Sequence, residues 1–141
     1  MITEQDKEQL LEAASLVRNN SYSPYSKYKV GAALLTNDEK IITGTNVENS
    51  SFGLTICAER AALFNAISAG YQDIQALAVI TCDGNAPCGA CRQVLSEFNP
   101  EMIILVGDSS GKLIKEYRLS ALLPYRSYVN SIQNSCKKNN L

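Results

Sequence analysis

Two short runs constrain this 141-residue chain more than any other feature. "IQALAVITC" (74–82) and "MIILVGD" (102–108) are largely apolar, yet far below the ~20 residues that cross a bilayer. Segments of that length and character read as strands buried inside a sheet that other elements cover. The rest of the chain supplies those elements. Thr3, with Asp6 three residues on, forms a helix-start capping box, and Leu10, Ala13, Ala14 and Val17 then recur at helical spacing, predicting a helix over about residues 4–19. "YKVGAALLT" (28–36) and "KIITGTNV" (40–47) flank "NDE" as a hairpin. Helices are predicted from Cys57 to Ala69, closed by Gly70, and from Cys88 to Phe98, stopped by Asn99 and Pro100. "KLIKEYRL" (112–119) alternates as a strand, "SALLP" is a helical turn, and "YRSYVNSIQNSCKKNN" a loose helix. No repeat, linker or low-complexity stretch divides the chain. The expectation is one domain over residues 1–141 of the α/β class, a three-layer α/β/α sandwich around a central mixed sheet.

Composition narrows the function. Apolar residues make up 45% and charged residues 19%, which fits a globular protein. A net charge of −1 and a pI of 5.4 argue against a nucleic-acid partner, which calls for a basic surplus. The start "MITEQDKEQL" lacks the apolar stretch of a secretory signal, so a soluble, cytoplasmic protein with no membrane role is expected. Five cysteines in a reducing compartment point to metal or catalysis rather than to disulfides. There is no histidine, so any base must be a carboxylate, lysine, tyrosine or thiolate, or a water activated by a metal.

Cys88 and Cys91 form a C-x-x-C pair at a helix start, and Cys57 opens the helix before it. Unpaired N–H groups and the helix dipole favour thiolates at such places. Both helix starts follow strands, where open α/β sheets place their sites, so the cysteines make one site. Three thiolates on one zinc leave a fourth position for water, the catalytic arrangement. They also leave a net negative charge that Arg60 or Arg92 can offset, and the i+3 position of Arg60 returns it to the side of Cys57. Spacing alone leaves catalytic zinc, structural zinc and a thioredoxin-like redox pair open. Cys82 or Cys136 could complete a structural site, although Cys82 reads as a small buried side chain and Cys136 lies in a polar tail.

Glu59 shifts the balance. By itself it is a first-turn glutamate complementing the helix dipole. Beside an open zinc, a carboxylate accepts the proton of the attacking water and delivers protons to the substrate. Cys57-Ala58-Glu59 followed by Pro87-Cys88-Gly89-Ala90-Cys91 resembles the zinc-dependent nucleoside deaminases. With "YSPYSKYKVGAALLT", "NVENSSFG", "CAERAALF" and "PCGACRQV" in that order, the chain resembles the small cytidine deaminase family from about residue 22 to 124.

That resemblance implies hydrolysis of the 4-amino group of cytidine and 2′-deoxycytidine, in pyrimidine salvage, by a homotetramer with active sites at subunit boundaries. It implies one Zn²⁺ per chain on Cys57, Cys88 and Cys91, with Glu59 as proton shuttle. It makes Arg60 the moderator of thiolate charge and Gln93 a residue that helps hold Arg60. Asn46 and Glu48, two apart at a strand end and so on one face, become the residues that hold the ribose; without the resemblance they read as loop-capping groups. Tyr28 matches an aromatic position near the base, although an aromatic in an alternating strand is otherwise core.

Two positions depart from the family pattern. Phe52 stands where close relatives carry a tyrosine reaching across the subunit boundary. Ser127, between Tyr125 and Tyr128, replaces a phenylalanine that packs over the base in a neighbouring subunit. The departures leave the reaction unchanged but widen the substrates to be considered to modified cytosine nucleosides and aminopyrimidine antibiotics. A redox or structural-zinc module is the alternative from a different class.

Overall fold

The computed structural model describes residues 1–129. Cys136 and the end of the expected tail helix lie outside the described residues, and residues 126–129 are not helical.

The elements run α1 (Glu4–Arg18), β1 (Gly31–Thr36), β2 (Ile41–Thr45), a 3₁₀ turn (Phe52–Leu54), α2 (Ala58–Ser68), β3 (Ile74–Ile80), α3 (Gly89–Ser96), β4 (Ile103–Gly107), β5 (Leu113–Arg118) and α4 (Leu119–Leu122). Thr3 caps α1 with both bonds of the capping box: its hydroxyl accepts from the Asp6 N–H, and Asp6 accepts from the Thr3 N–H. Gly70, at φ +91°, closes α2, with Tyr71 N–H bonded to Ala66 O and Gly70 N–H to Ile67 O.

The five strands lie in the order β2-β1-β3-β4-β5, and β3 and β4 run parallel while the other pairs are antiparallel. The central strands are apolar because both their faces are covered. Ala33, Leu35, Ala76, Ala78, Ile80 and Leu105 face one side, where α1 packs Leu10, Leu11 and Ala14. Ala32, Leu34, Leu77, Val79, Ile104 and Val106 alternate to the other, against Ala58, Ala62, Leu63 and Ala66 of α2 and Leu95 of α3. The result is the expected three-layer sandwich. Gly44 lets α2 lie directly on β2, because a Cβ there would stand 2.2 Å from the Ala62 nitrogen. Among the described residues, no helix is long and apolar enough to cross a membrane.

Candidate active site

Strand register fixes where the site lies. Gly31 of β1 stands opposite both Thr45, at the end of β2, and Ile80, at the end of β3. Tyr28 to Val30, Asn46 to Glu48, and Thr81 therefore leave the sheet at one edge, and α2 and α3 begin there. β1 starts at Gly31 rather than at residue 28, because the Val30 N–H bonds the Asn46 side chain and not a neighbouring strand.

Cys57 is the N-cap of α2 and Cys88 the N-cap of α3, and neither sulfur bonds its own helix end. Cys91 lies in the first turn of α3, buried. The three Sγ atoms lie within 4.8 Å of one another. Thiolates about 2.3 Å from one tetrahedral zinc stand about 3.8 Å apart, so a small contraction lets this donor set fit the ion. Cys82 is not in the cluster. Expected to be buried, it is exposed, because β3 ends at Ile80 and Cys82 falls in the loop beyond the sheet.

Glu59 is 6% exposed, and its Oε2 lies 3.8 Å from Cys91 Sγ. Burial pushes its carboxyl up to about 7, with the Cys57 charge adding to the effect. Cys57 is pulled down to about 5, first by the Cys91 thiol that donates to it and then by the Arg60 guanidinium. The same contact with Cys57, reinforced by burial, holds the Cys91 thiol far above its ordinary value. One thiolate sharing the proton of another is a cluster that sheds its protons when a cation binds. Arg60 Nη2 lies 3.5 Å from Cys57 Sγ, and its Nε is buried with no hydrogen-bond partner among the described residues. Gln93, expected to help hold Arg60, instead donates from Nε2 to the Ser127 carbonyl at 2.9 Å. This side of α3 faces the C-terminal segment, and the neighbouring Arg92 likewise bonds the carbonyls of Pro87 (2.7 Å) and Leu122 (3.2 Å).

Asn46 is buried and braces the loop before β1. Its Oδ1 accepts from the Ser21 hydroxyl and from the Val30 N–H, and its Nδ2 donates to the Tyr28 carbonyl. Both oxygen lone pairs are then in use, leaving one amide hydrogen for a ligand. Glu48 Oε1 accepts from the N–H groups of Tyr25 (3.0 Å) and Ser26 (3.1 Å). The Ser26 hydroxyl and these amides hold the Glu48 carboxyl below its usual range. Tyr28 is half-buried, not core, and its hydroxyl donates to Asp83.

These groups surround one cavity of about 380 Å³, within the usual size of small-molecule sites. Asn46, Glu48 and Thr55 line it, as do Cys57, Glu59 and Cys88, and Tyr28, Val30, Thr81, Asn85 and Ala86. Thr81, just past the end of β3, and Asp83 and Asn85 in the loop that follows were not singled out by the sequence reading. Their one signal is a run of turn-forming polar residues just before the cysteine pair. Phe52 stands at the mouth of an adjoining hollow, edge-to-face with Tyr25 at 5.7 Å.

The family model described as the cytidine and deoxycytidylate deaminase zinc-binding region matches residues 4–106. The chain belongs to this family. It is similar to a cytidine deaminase of Halalkalibacterium halodurans, 47% identical over 122 residues, covering 84% of this chain and 92% of the relative. A cytidine deaminase of Sporosarcina psychrophila is 45% identical over 122 residues, covering 84% of this chain and 89% of the relative. The crystal structure of cytidine deaminase from Burkholderia pseudomallei superposes with a TM-score of 0.82 at 44% identity, covering 89% of this chain and all of that one.

Proposed function

We propose that this chain is a zinc-dependent deaminase that converts cytidine and 2′-deoxycytidine to the uridine products with release of ammonia. One observation carries the reading: three thiols within 4.8 Å of one another adjoin a buried glutamate on the wall of a nucleoside-sized cavity. Cys57, Cys88 and Cys91 would hold the ion, which when bound makes a coordinated water a nucleophile near neutral pH.

The chain's own groups do the proton work. Glu59, buried beside Cys91, takes the proton of the attacking water and places it on ring N3, which makes C4 electrophilic. As the C4–O bond forms, Glu59 takes the proton of the new hydroxyl and gives it to the amino nitrogen. The C4–N bond then breaks, ammonia leaves, and C4 becomes the carbonyl of uridine. The Arg60 guanidinium offsets the negative charge of the thiolate cluster through Cys57.

The sugar end selects a nucleoside. Asn46 and Glu48 offer an amide hydrogen and a carboxylate to ribose hydroxyls. Among the described residues, no lysine or arginine lines the cavity, so it disfavours a 5′-phosphate. The exposed Tyr25, Phe52 and Leu54 lie beside the Glu48 loop and form an apolar surface for further copies of the chain, consistent with the homotetramer that the family resemblance implies. Reduced thiols suit a cytoplasmic setting. The redox and four-cysteine alternatives are less favoured: Cys82 stands apart from the cluster, and a redox pair needs no buried carboxylate.

The deciding experiment measures ammonia and uridine formed from both nucleosides, with bound zinc quantified in the same sample. Turnover at one zinc per chain is expected. Zinc without turnover would move the reading to another amino-heterocycle, and neither zinc nor turnover would end it.

A further inference from the structure

Asp83 does not line the cavity, yet it is bonded to three residues that do. Its Oδ1 accepts from the Tyr28 hydroxyl and from Thr81 Oγ1 at 3.1 Å, and its Oδ2 accepts from Asn85 Nδ2 at 2.7 Å. Thr81 Oγ1 in turn accepts from the Asn85 N–H at 3.0 Å, and Asn85 Nδ2 also lies 3.4 Å from the Tyr28 hydroxyl. Tyr28 is held at its other end as well. Its carbonyl accepts from Asn46 Nδ2 at 2.8 Å, and its N–H donates to Ser26 Oγ at 3.0 Å.

The ladder between β1 and β3 ends at Gly31 and Ile80, so no strand pairing joins the two loops beyond that edge. Tyr28 and Asp83, 55 residues apart, make the join. A carboxylate suits the task because both oxygens accept, whereas an amide has one accepting oxygen. Its charge also strengthens each bond.

We propose that Asp83 is a positioning residue: by holding the Tyr28 hydroxyl together with Thr81 and Asn85, it fixes the cavity wall leading to Cys88 and so sets nucleoside affinity without touching the substrate. The proposal rests on the deaminase reading for its substrate. It differs from a general stabilising role in what it predicts for affinity and turnover separately.

Asp83→Ala should raise KM for cytidine ~10-fold, the usual effect of losing hydrogen bonds to a charged group, with kcat within about threefold and bound zinc unchanged. Asp83→Asn keeps an oxygen for Tyr28 and Thr81 but turns an NH2 towards the Asn85 Nδ2 donor, so its KM should lie between those of the parent and Asp83→Ala. Tyr28→Phe should also raise KM, and adding it to Asp83→Ala should raise KM no further, because the two act as one unit. An unchanged KM in Asp83→Ala, an Asp83→Asn as damaging as Asp83→Ala, or single effects that multiply in the double variant would overturn the proposal. Amide hydrogen exchange separates this from the function itself. Asp83→Ala should speed exchange at Asn85 about tenfold and Asp83→Asn by less, whether or not cytidine is the substrate. Unchanged exchange in Asp83→Ala would sink the positioning role even if deamination is confirmed, whereas faster exchange without deamination would leave it standing.

Discussion

Gly44→Ala asks whether the site depends on how closely α2 rests on β2. A Cβ at position 44 would stand 2.2 Å from the Ala62 nitrogen and 2.7 Å from the Ala61 carbonyl carbon, both in the backbone of α2. Ordinary contact begins at 3.4 Å, so strand and helix must part by roughly 1 Å. No side chain can rotate aside to absorb that, because both partners are main chain. Overpacking of this kind costs about 3 kcal/mol, which lowers Tm by roughly 10 °C in a domain of this length. The shift also reaches the chemistry, since α2 carries Cys57 at its N-cap and Glu59 in its first turn. A misplacement of about 1 Å at a catalytic group lowers turnover ~10²-fold. Thermal unfolding and ammonia release on the same zinc-quantified sample read both effects. A Gly44→Ala protein that keeps its Tm within about 2 °C and its turnover within about twofold would refute the argument.

Glu59→Gln should lose at least ~10²-fold in kcat while keeping its zinc and fold, because an amide cannot carry the protons; near-parental turnover would remove the shuttle role. Arg60→Ala should lower kcat roughly tenfold, the scale of one hydrogen bond to a charged group, with Arg60→Lys intermediate because it keeps the charge but not the geometry. Equal activity in all three proteins would show that the 3.5 Å contact with Cys57 does not tune the site. Stripping the metal with a chelator should abolish ammonia release and lower Tm, and added zinc should restore both, since an ion held by α2 and α3 binds the folded chain and not the unfolded one. Full activity in metal-free protein would overturn the zinc reading.

The mixed sheet and its covering helices were legible because local signals and global pattern agreed. Continuous apolar runs fell at the central strands β3 and β4, and the Thr3–Asp6 box and Gly70 fell at helix ends. The gathering of three cysteines was legible because their spacing lies on two helix starts, which the fold then brings to one sheet edge. What sequence could not convey were contacts decided beyond the ends of the strands. Whether Cys82 is buried depends on where β3 stops, and two residues of extra strand would have placed it differently. Gln93 follows the orientation of α3 towards Ser127, which no i+3 or i+4 rule encodes.

Asn46 is the instructive case, because its two sequence readings are compatible. It caps the loop before β1 with three hydrogen bonds, and that bracing is what presents its remaining amide hydrogen to the cavity. Tyr28 stands in the same relation to Asp83: its carbonyl is bonded by Asn46, its hydroxyl by Asp83 in the loop that leads to Cys88. The loops before β1 and after β3 are therefore joined through Tyr28 and Asp83 rather than by the sheet. A change in either loop should be felt in the other, and the sheet itself need not move for that to happen.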